Sequence, residues 1–226
     1  MMRLAGWFRG MRGATVLIAG MLPVLSGCGS LVDLKPSGPP PAHYLLHPPT
    51  PRTDDERDGA AFVLVAEPVM PRALATDGIA VREGRWRLAY LAGARWGDRA
   101  PVMVARLLRR TLEAMPQVVA LGDDETGLSA GWRLVSEVDA FEIETPGPGA
   151  PPERVRIAID IRLIRLHPTR LVAERRLEAA QPISAQGDAG AAVAAFQRAF
   201  DAIEDDLQDW LGGMLAGQSR SAAPAS

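Results

Sequence analysis

A chain of 226 residues with 47% hydrophobic and 23% charged side chains has the composition of a folded protein with a sizeable core. Its 25 basic and 27 acidic residues nearly cancel, which excludes the strongly basic balance that binding nucleic acid requires. With a single cysteine, no internal disulfide can form.

In chain order, residues 1–27 read as a signal peptide. Arg3, Arg9 and Arg12 form a basic head, and Ala14 to Leu25 is an apolar run too short to span a bilayer. The run ends in Leu25-Ser26-Gly27-Cys28, the pattern of a bacterial lipoprotein signal. Leu25, Ser26 and Gly27 are the peptidase recognition residues, the small pair fitting a narrow site. The Cys28 thiol accepts a diacylglycerol as a thioether, and the new amino terminus takes an N-acyl chain. Several acyl chains anchor stably where one binds only marginally. No other cofactor and no metal is expected. The competing reading is an uncleaved signal anchor with Cys28 as a core thiol, and the helix-breaking Pro23 and Gly27 stand against it. Gly29, not aspartate, follows Cys28, which by the sorting convention of enteric-type bacteria directs the protein to the periplasmic face of the outer membrane. Removing residues 1–27 takes away three arginines and no acid, leaving 199 residues with a net charge of −5.

Residues 28–60 read as the lipidated cysteine and its tether. Pro36, Pro39, Pro40, Pro41, Pro48, Pro49 and Pro51 stiffen it towards polyproline II. Within it, residues 43–47 suit a short edge strand, because prolines confine a strand to an edge or a beginning. The folded domain is expected over 61–215, followed by a disordered tail at 216–226. Phe62 to Ala66 is a continuous apolar run, as in a central strand buried on both faces. Ile79 to Arg82 and Trp86 to Leu91 flank Glu83-Gly84-Arg85 and predict a hairpin. A helix is expected from about Asp98, its cap, to Met115, with Val104, Leu107, Leu108, Thr111, Leu112 and Met115 on its buried face.

Val118 to Leu121 then makes a short strand. Trp132, Leu134 and Val138 share one parity and Phe141 and Ile143 the other, which places a bulge near Ala140. Val155 to Leu163 alternates cleanly, the phase slips again at Ile164, and Leu171 to Ala179 makes a further strand. Glu142, Glu144 and Glu174 are expected to face Arg154, Arg156 or Arg165 on an outer surface. A last helix from about Asp188 to Met214 carries the heptad Val193, Phe196, Phe200, Ile203, Leu207, Trp210, Met214, which fits either core packing or a homo-oligomer interface. Glu204, Asp205 and Asp206 fall on its polar side. His43, His47 and His167 lie in or beside proline-rich loops; His43 and His47 are four apart, but the flanking prolines forbid the helix that would make them metal ligands, and no phosphate loop or nucleophile motif occurs. The chain reads as a non-enzyme.

Tyr90 followed by Trp96-Gly97-Asp98-Arg99-Ala100-Pro101 before an amphipathic helix resembles the ABC-type transport auxiliary lipoproteins, which include the paraquat-inducible protein C lipoproteins. Tyr44-Leu45-Leu46, the step Pro68 to Leu74, and Arg133-Leu134-Val135 leading to Phe141-Glu142 match the same pattern. The resemblance implies an α/β (α+β) fold. This is a mixed, largely antiparallel sheet packed by two long amphipathic helices, similar to the amino-terminal domain of the TolB translocation protein. It also implies partners: a periplasmic mammalian-cell-entry (MCE) domain protein with an ABC permease and ATPase, moving phospholipid between two membranes. The chain would then be a docking or tethering subunit. Trp86, Tyr90, Trp96 and Arg99 are the candidate partner-binding residues, with core packing as the other reading of the three aromatics. The alternatives for function are a lipid-binding carrier, or a structural or assembly lipoprotein of another outer-membrane machine.

Overall fold

A computed structural model describes residues 39–50, 60–122, 130–184 and 188–221. The signal peptide, Leu25 to Cys28, most of the tether and the acidic loop at Asp123 lie outside these residues. The chain divides into Met1–Ser37 and a compact unit Gly38–Ser226, and the second is described below.

Its elements run β1 (Ala42–Tyr44), β2 (Ala61–Val65), β3 (Gly78–Glu83), β4 (Arg87–Trp96), α1 (Ala100–Glu113), β5 (Val118–Gly122), β6 (Trp132–Thr145), β7 (Arg154–Leu166), β8 (Thr169–Pro182) and α2 (Ala189–Ser221). Strand β6 is the spine. One edge pairs antiparallel with β7 along its length, and β7 pairs with β8. The other edge is shared: β2 pairs in parallel at Trp132 to Leu134, Val69 bridges Glu137, and β3 pairs in parallel at Glu142 to Thr145. Strand β5 extends β2, while β4 and then β1 extend β3. Two groups of strands on one edge curl the sheet into a mixed α/β architecture with two helices, as expected from the sequence.

The expected irregularities are present. The β6–β7 register shifts between Val138 and Ala140, and buried positions change parity there. A second shift follows Leu163. Gly84 turns the β3–β4 hairpin with φ of +65°, a conformation costly for any residue with a Cβ.

Helix α1 packs on β5 and β2, and α2 on β7 and β8, around one core. All six positions expected on the inner face of α1 are buried. The cap is different. Arg99 holds the N-cap position without a side-chain bond, and Asp98 instead accepts from Arg106 at 3.1 Å. The first orphan N–H, of Ala100, donates to Thr76 O at 2.9 Å, and Pro101 has no N–H to satisfy.

Other expectations are corrected. Strand β2 buries Val63 and Val65 but leaves Phe62 40% exposed and Leu64 half-buried, so only one of its faces is fully buried. In α2, Phe196, Phe200, Ile203 and Leu207 are buried as expected. Val193 and Trp210 are half-buried and Met214 is exposed, while Ala192, Ala195, Ala199, Leu211 and Leu215 are buried instead. A straight helix drifts about 20° per heptad from a 3.5-residue repeat, so a heptad walks off the packed face at both ends. The helix also continues to Ser221, past the point where the sequence pattern ended it.

The outer face of β6, β7 and β8 is a ladder of ion pairs. Glu144 meets Arg154 at 2.6 Å, Glu174 meets Arg162 at 3.0 Å, and Arg176 meets Asp139 at 2.6 Å. Glu142 is not part of it. Its carboxylate is fully buried and receives both Nε and Nη2 of Arg82, the latter at 3.0 Å, because a buried charge survives only when paired and hydrogen-bonded. Arg165 lies over the Trp132 ring.

At the centre of the core, Trp96 of β4, Phe141 of β6 and Phe196 of α2 touch. Centroids lie 5.6 Å apart for Trp96–Phe141 and 5.0 Å for each of the other two pairs. Trp96 Nε1 has no hydrogen-bond partner, so the indole contributes volume and ring contacts only. Trp96→Ala is expected to cost about 3–5 kcal/mol in denaturant unfolding, and Trp96→Phe only about 1–2 kcal/mol, because no hydrogen bond is lost with the indole. Equal losses for the two variants would refute this.

Candidate interaction surface

The motif residues of β4 and the start of α1 converge on one loop, Pro71 to Asp77. Tyr90 Oη donates to Ala73 O at 2.9 Å, and the Arg99 guanidinium donates to Ala75 O at 3.3 and 3.4 Å. Arg95 Nη1 meets Asp77 Oδ1 at 2.9 Å, and the Trp96 N–H donates to Asp77 O at 2.7 Å. The Tyr90 ring lies flush on Gly78, where a Cβ would stand 2.5 Å from the ring. Tyr90 and Arg99 are exposed, yet their polar ends are engaged in this clasp.

Trp96 is corrected outright as a surface candidate. It is 1% exposed, its ring surrounded by core, so it cannot meet a partner. Trp86 is the opposite. It sits in the β3–β4 turn at 89% exposure, with the Arg85 guanidinium 5.4 Å from its ring centroid. Of the three aromatic candidates, Trp86 is the most exposed, with Arg85 stacked on its ring.

The edge strand expected at 43–47 is present as β1, and it continues into a strap over residues 42–47 whose attachment to α2 the sequence does not signal. Strand β1 pairs with β4 from Ala42↔Ala94 to Tyr44↔Trp96, and Leu46 is buried. The Gln197 side chain accepts from the His47 N–H at 2.8 Å and donates to His47 O at 3.0 Å. An open groove of about 630 Å³ lies beneath, lined among others by Tyr44, Leu45, Val193 and Gln197. Nothing in a lone glutamine on a helix signals such a backbone clamp. Leu46, an apolar residue among prolines, was the available cue.

Between the helices lies a buried acid. Glu204 of α2 is 6% exposed and accepts from Thr111 Oγ1 of α1 at 3.0 Å. It does not lie on the polar face with Asp205 and Asp206, which are exposed. Burial pushes its carboxyl up to about 7; the Thr111 hydroxyl opposes the shift, and the charges of Asp201 and Asp205 add to it. Among the described residues, no group of three His, Cys, Asp or Glu side chains is placed to hold a metal ion.

The family described as ABC-type transport auxiliary lipoprotein component matches residues 44–208, a span that contains Tyr44, the Trp96 to Pro101 cluster and Arg133. The chain is similar to a crystal structure from Xanthomonas campestris, with 23% identity and a TM-score of 0.61 over 81% of this chain and 97% of that one. A crystal structure of an uncharacterized protein gives a TM-score of 0.51 at 14% identity, over 82% and 100% of the respective chains. Both likenesses concern the fold. No curated protein matches.

The raised Glu204 carboxyl sets a pH dependence. The folded state holds this proton more tightly than the unfolded chain does. The stabilisation is therefore complete below about pH 4.5, falls as the pH rises towards about 7, and is absent above it. The whole effect is on the order of 2 kcal/mol once partial solvation is allowed for. Glu204→Gln is expected to flatten this part of a melting-temperature profile between pH 5 and 8 and to raise stability at pH 8. An unchanged profile would show that Glu204 is not the group responsible.

Proposed function

The chain belongs to the ABC-type transport auxiliary lipoprotein family, and from that premise we propose that it is a lipid-anchored docking subunit of an MCE-type ABC system that moves phospholipid between the inner and outer membranes. Acyl chains on Cys28 hold it to the periplasmic face of the outer membrane, with the signal peptide of residues 1–27 removed. The proline-rich segment gives the domain reach, at most about 3.5 Å per residue. Its partner is the periplasmic MCE-domain protein, which works with the permease and ATPase.

The observation that carries this reading is the family match over residues 44–208 in a chain whose sequence places a lipobox just upstream. The role is mechanical. The described domain is a curled sheet with a filled core, and its best-marked motif clasps a loop. A lipid carrier would hold an acyl chain between α2 and the sheet. That space is occupied by Phe141, Phe196, Phe200 and Ile157, all buried, which favours docking over carriage.

Extraction of the full chain from membranes in mild detergent, followed by mass spectrometry, tests the proposal. An MCE-domain protein is expected to come with it, together with a permease and an ATPase. Recovery of phospholipid alone would favour the carrier, and an unrelated outer-membrane machine would overturn the assignment to MCE transport.

A further inference from the structure

Strand direction fixes which way the first described residues of the tether run. Strand β1 is parallel to β4, with Ala42 beside Ala94 and Tyr44 beside Trp96. Traced backwards, the chain therefore runs towards the Arg87 end of β4. Pro41 and Pro39 line a depression with Tyr90, Leu91, Ala92 and Gly93. From Tyr90, three strand residues, about 10 Å, lead back to Arg87 and the β3–β4 turn. The first described residues of the tether, Pro39 to Pro41, thus head towards the end that carries Trp86.

That end has a composition of its own. The β3–β4 turn lies against the β6–β7 loop: the Gly84 N–H donates to Thr145 O at 2.9 Å, and a cleft lined by Arg82, Arg85, Trp86, Glu144 and Arg154 joins them. Residues 146–152 of the loop, Pro-Gly-Pro-Gly-Ala-Pro-Pro, carry no charge. Around the turn, Glu83 is held by Arg87, Glu142 by Arg82 and Glu144 by Arg154. Arg85 lies on the indole, and Glu153 is the exposed acid of the rim. The result is a nearly neutral rim with one projecting indole and a cation beside it. Tryptophan with an adjacent arginine suits the headgroup layer of a bilayer, where the ring meets the acyl boundary and the guanidinium meets phosphate.

The chain length brings this rim to the membrane. Cys28 precedes Pro39 by eleven residues, a contour of at most about 40 Å. We propose that the β3–β4 turn is a second membrane contact, Trp86 lodging in the phospholipid headgroup layer of the bilayer that holds Cys28. This rests on the lipid anchor proposed above. The contact orients the domain. It places the β6–β7 loop on the bilayer too, and directs the opposite end of the sheet, with the β7–β8 turn, into the periplasm.

The test uses the full chain, made in cells that process it and reconstituted into vesicles of phosphatidylethanolamine with a minority of phosphatidylglycerol, the acyl chains brominated near the headgroup. Bromine quenches only indoles at that depth. The wild type is expected to be quenched relative to unbrominated vesicles, and Trp86→Phe to lose most of that quenching while keeping its circular dichroism. The mass of the amino-terminal peptide is read from the same sample. An unmodified Cys28 would remove the anchor and the inference together. A lipidated chain quenched equally with and without Trp86 would overturn the inference and leave the anchor standing. Absence of quenching, combined with loss of MCE-protein capture in Trp86→Ala, would assign the turn to a protein partner instead.

Discussion

The packing of Trp96, Phe141 and Phe196 is the contact on which the rest of the domain depends. It joins the strand that receives the strap, the strand that forms the spine and the helix that closes the core. These three elements are far apart in sequence, and no short-range signal brings them together. Once the rings meet, the rest is constrained. Trp96 fixes the end of β4, so β1 has a register to join and α1 has a point of departure. Phe141 fixes the half of β6 beyond its bulge, where β3 pairs. Phe196 fixes the turn of α2 whose next residue, Gln197, clamps His47. Aromatic contacts of this kind add to the burial of the rings themselves.

Strand β6 turns that anchor into an architecture. By sharing one edge between β2 and β3 it holds two strand groups that would otherwise form separate small sheets. The step between them, with Val69 bridging Glu137, keeps the chain on the spine while residues 71–77 loop out. The Tyr90, Arg95 and Arg99 clasp fastens that loop. The pattern that marks the family in this sequence is thus an assembly device in the described structure: it closes a loop over the end of a strand.

Periodicity made most of the fold legible. The alternation in β7, the phase slips at Ala140 and Ile164, the hairpin at Gly84 and the inner face of α1 all follow from residue spacing and local backbone chemistry, and the structure has each of them. What spacing misses is tertiary. Spacing leaves Trp96 open between a surface anchor and a core residue, because nothing in its neighbourhood says that Phe141 and Phe196 will close on it. Glu142 and Glu204 looked solvated because a carboxylate is usually exposed, and the groups that let them be buried, Arg82 and Thr111, are 60 and 93 residues away. The heptad in α2 was real as a pattern, yet its ends left the packed face because helix and heptad periods differ. At the surface, Trp86 is legible as a candidate and residues 43–47 as an edge strand, while the clamp of Gln197 on His47 is not.

On the proposed reading the work of this protein is positional: an anchored domain, attached at one end and oriented by a small contact beside its tether. The claim beneath it is the acyl anchor at Cys28, and fractionation of cells expressing wild-type or Cys28→Ala chains tests that most directly. The account predicts wild type in the washed membrane fraction with an acylated amino-terminal peptide, and Cys28→Ala released in soluble, protease-resistant form. Cys28→Ala retained on washed membranes to the same extent as wild type would contradict it.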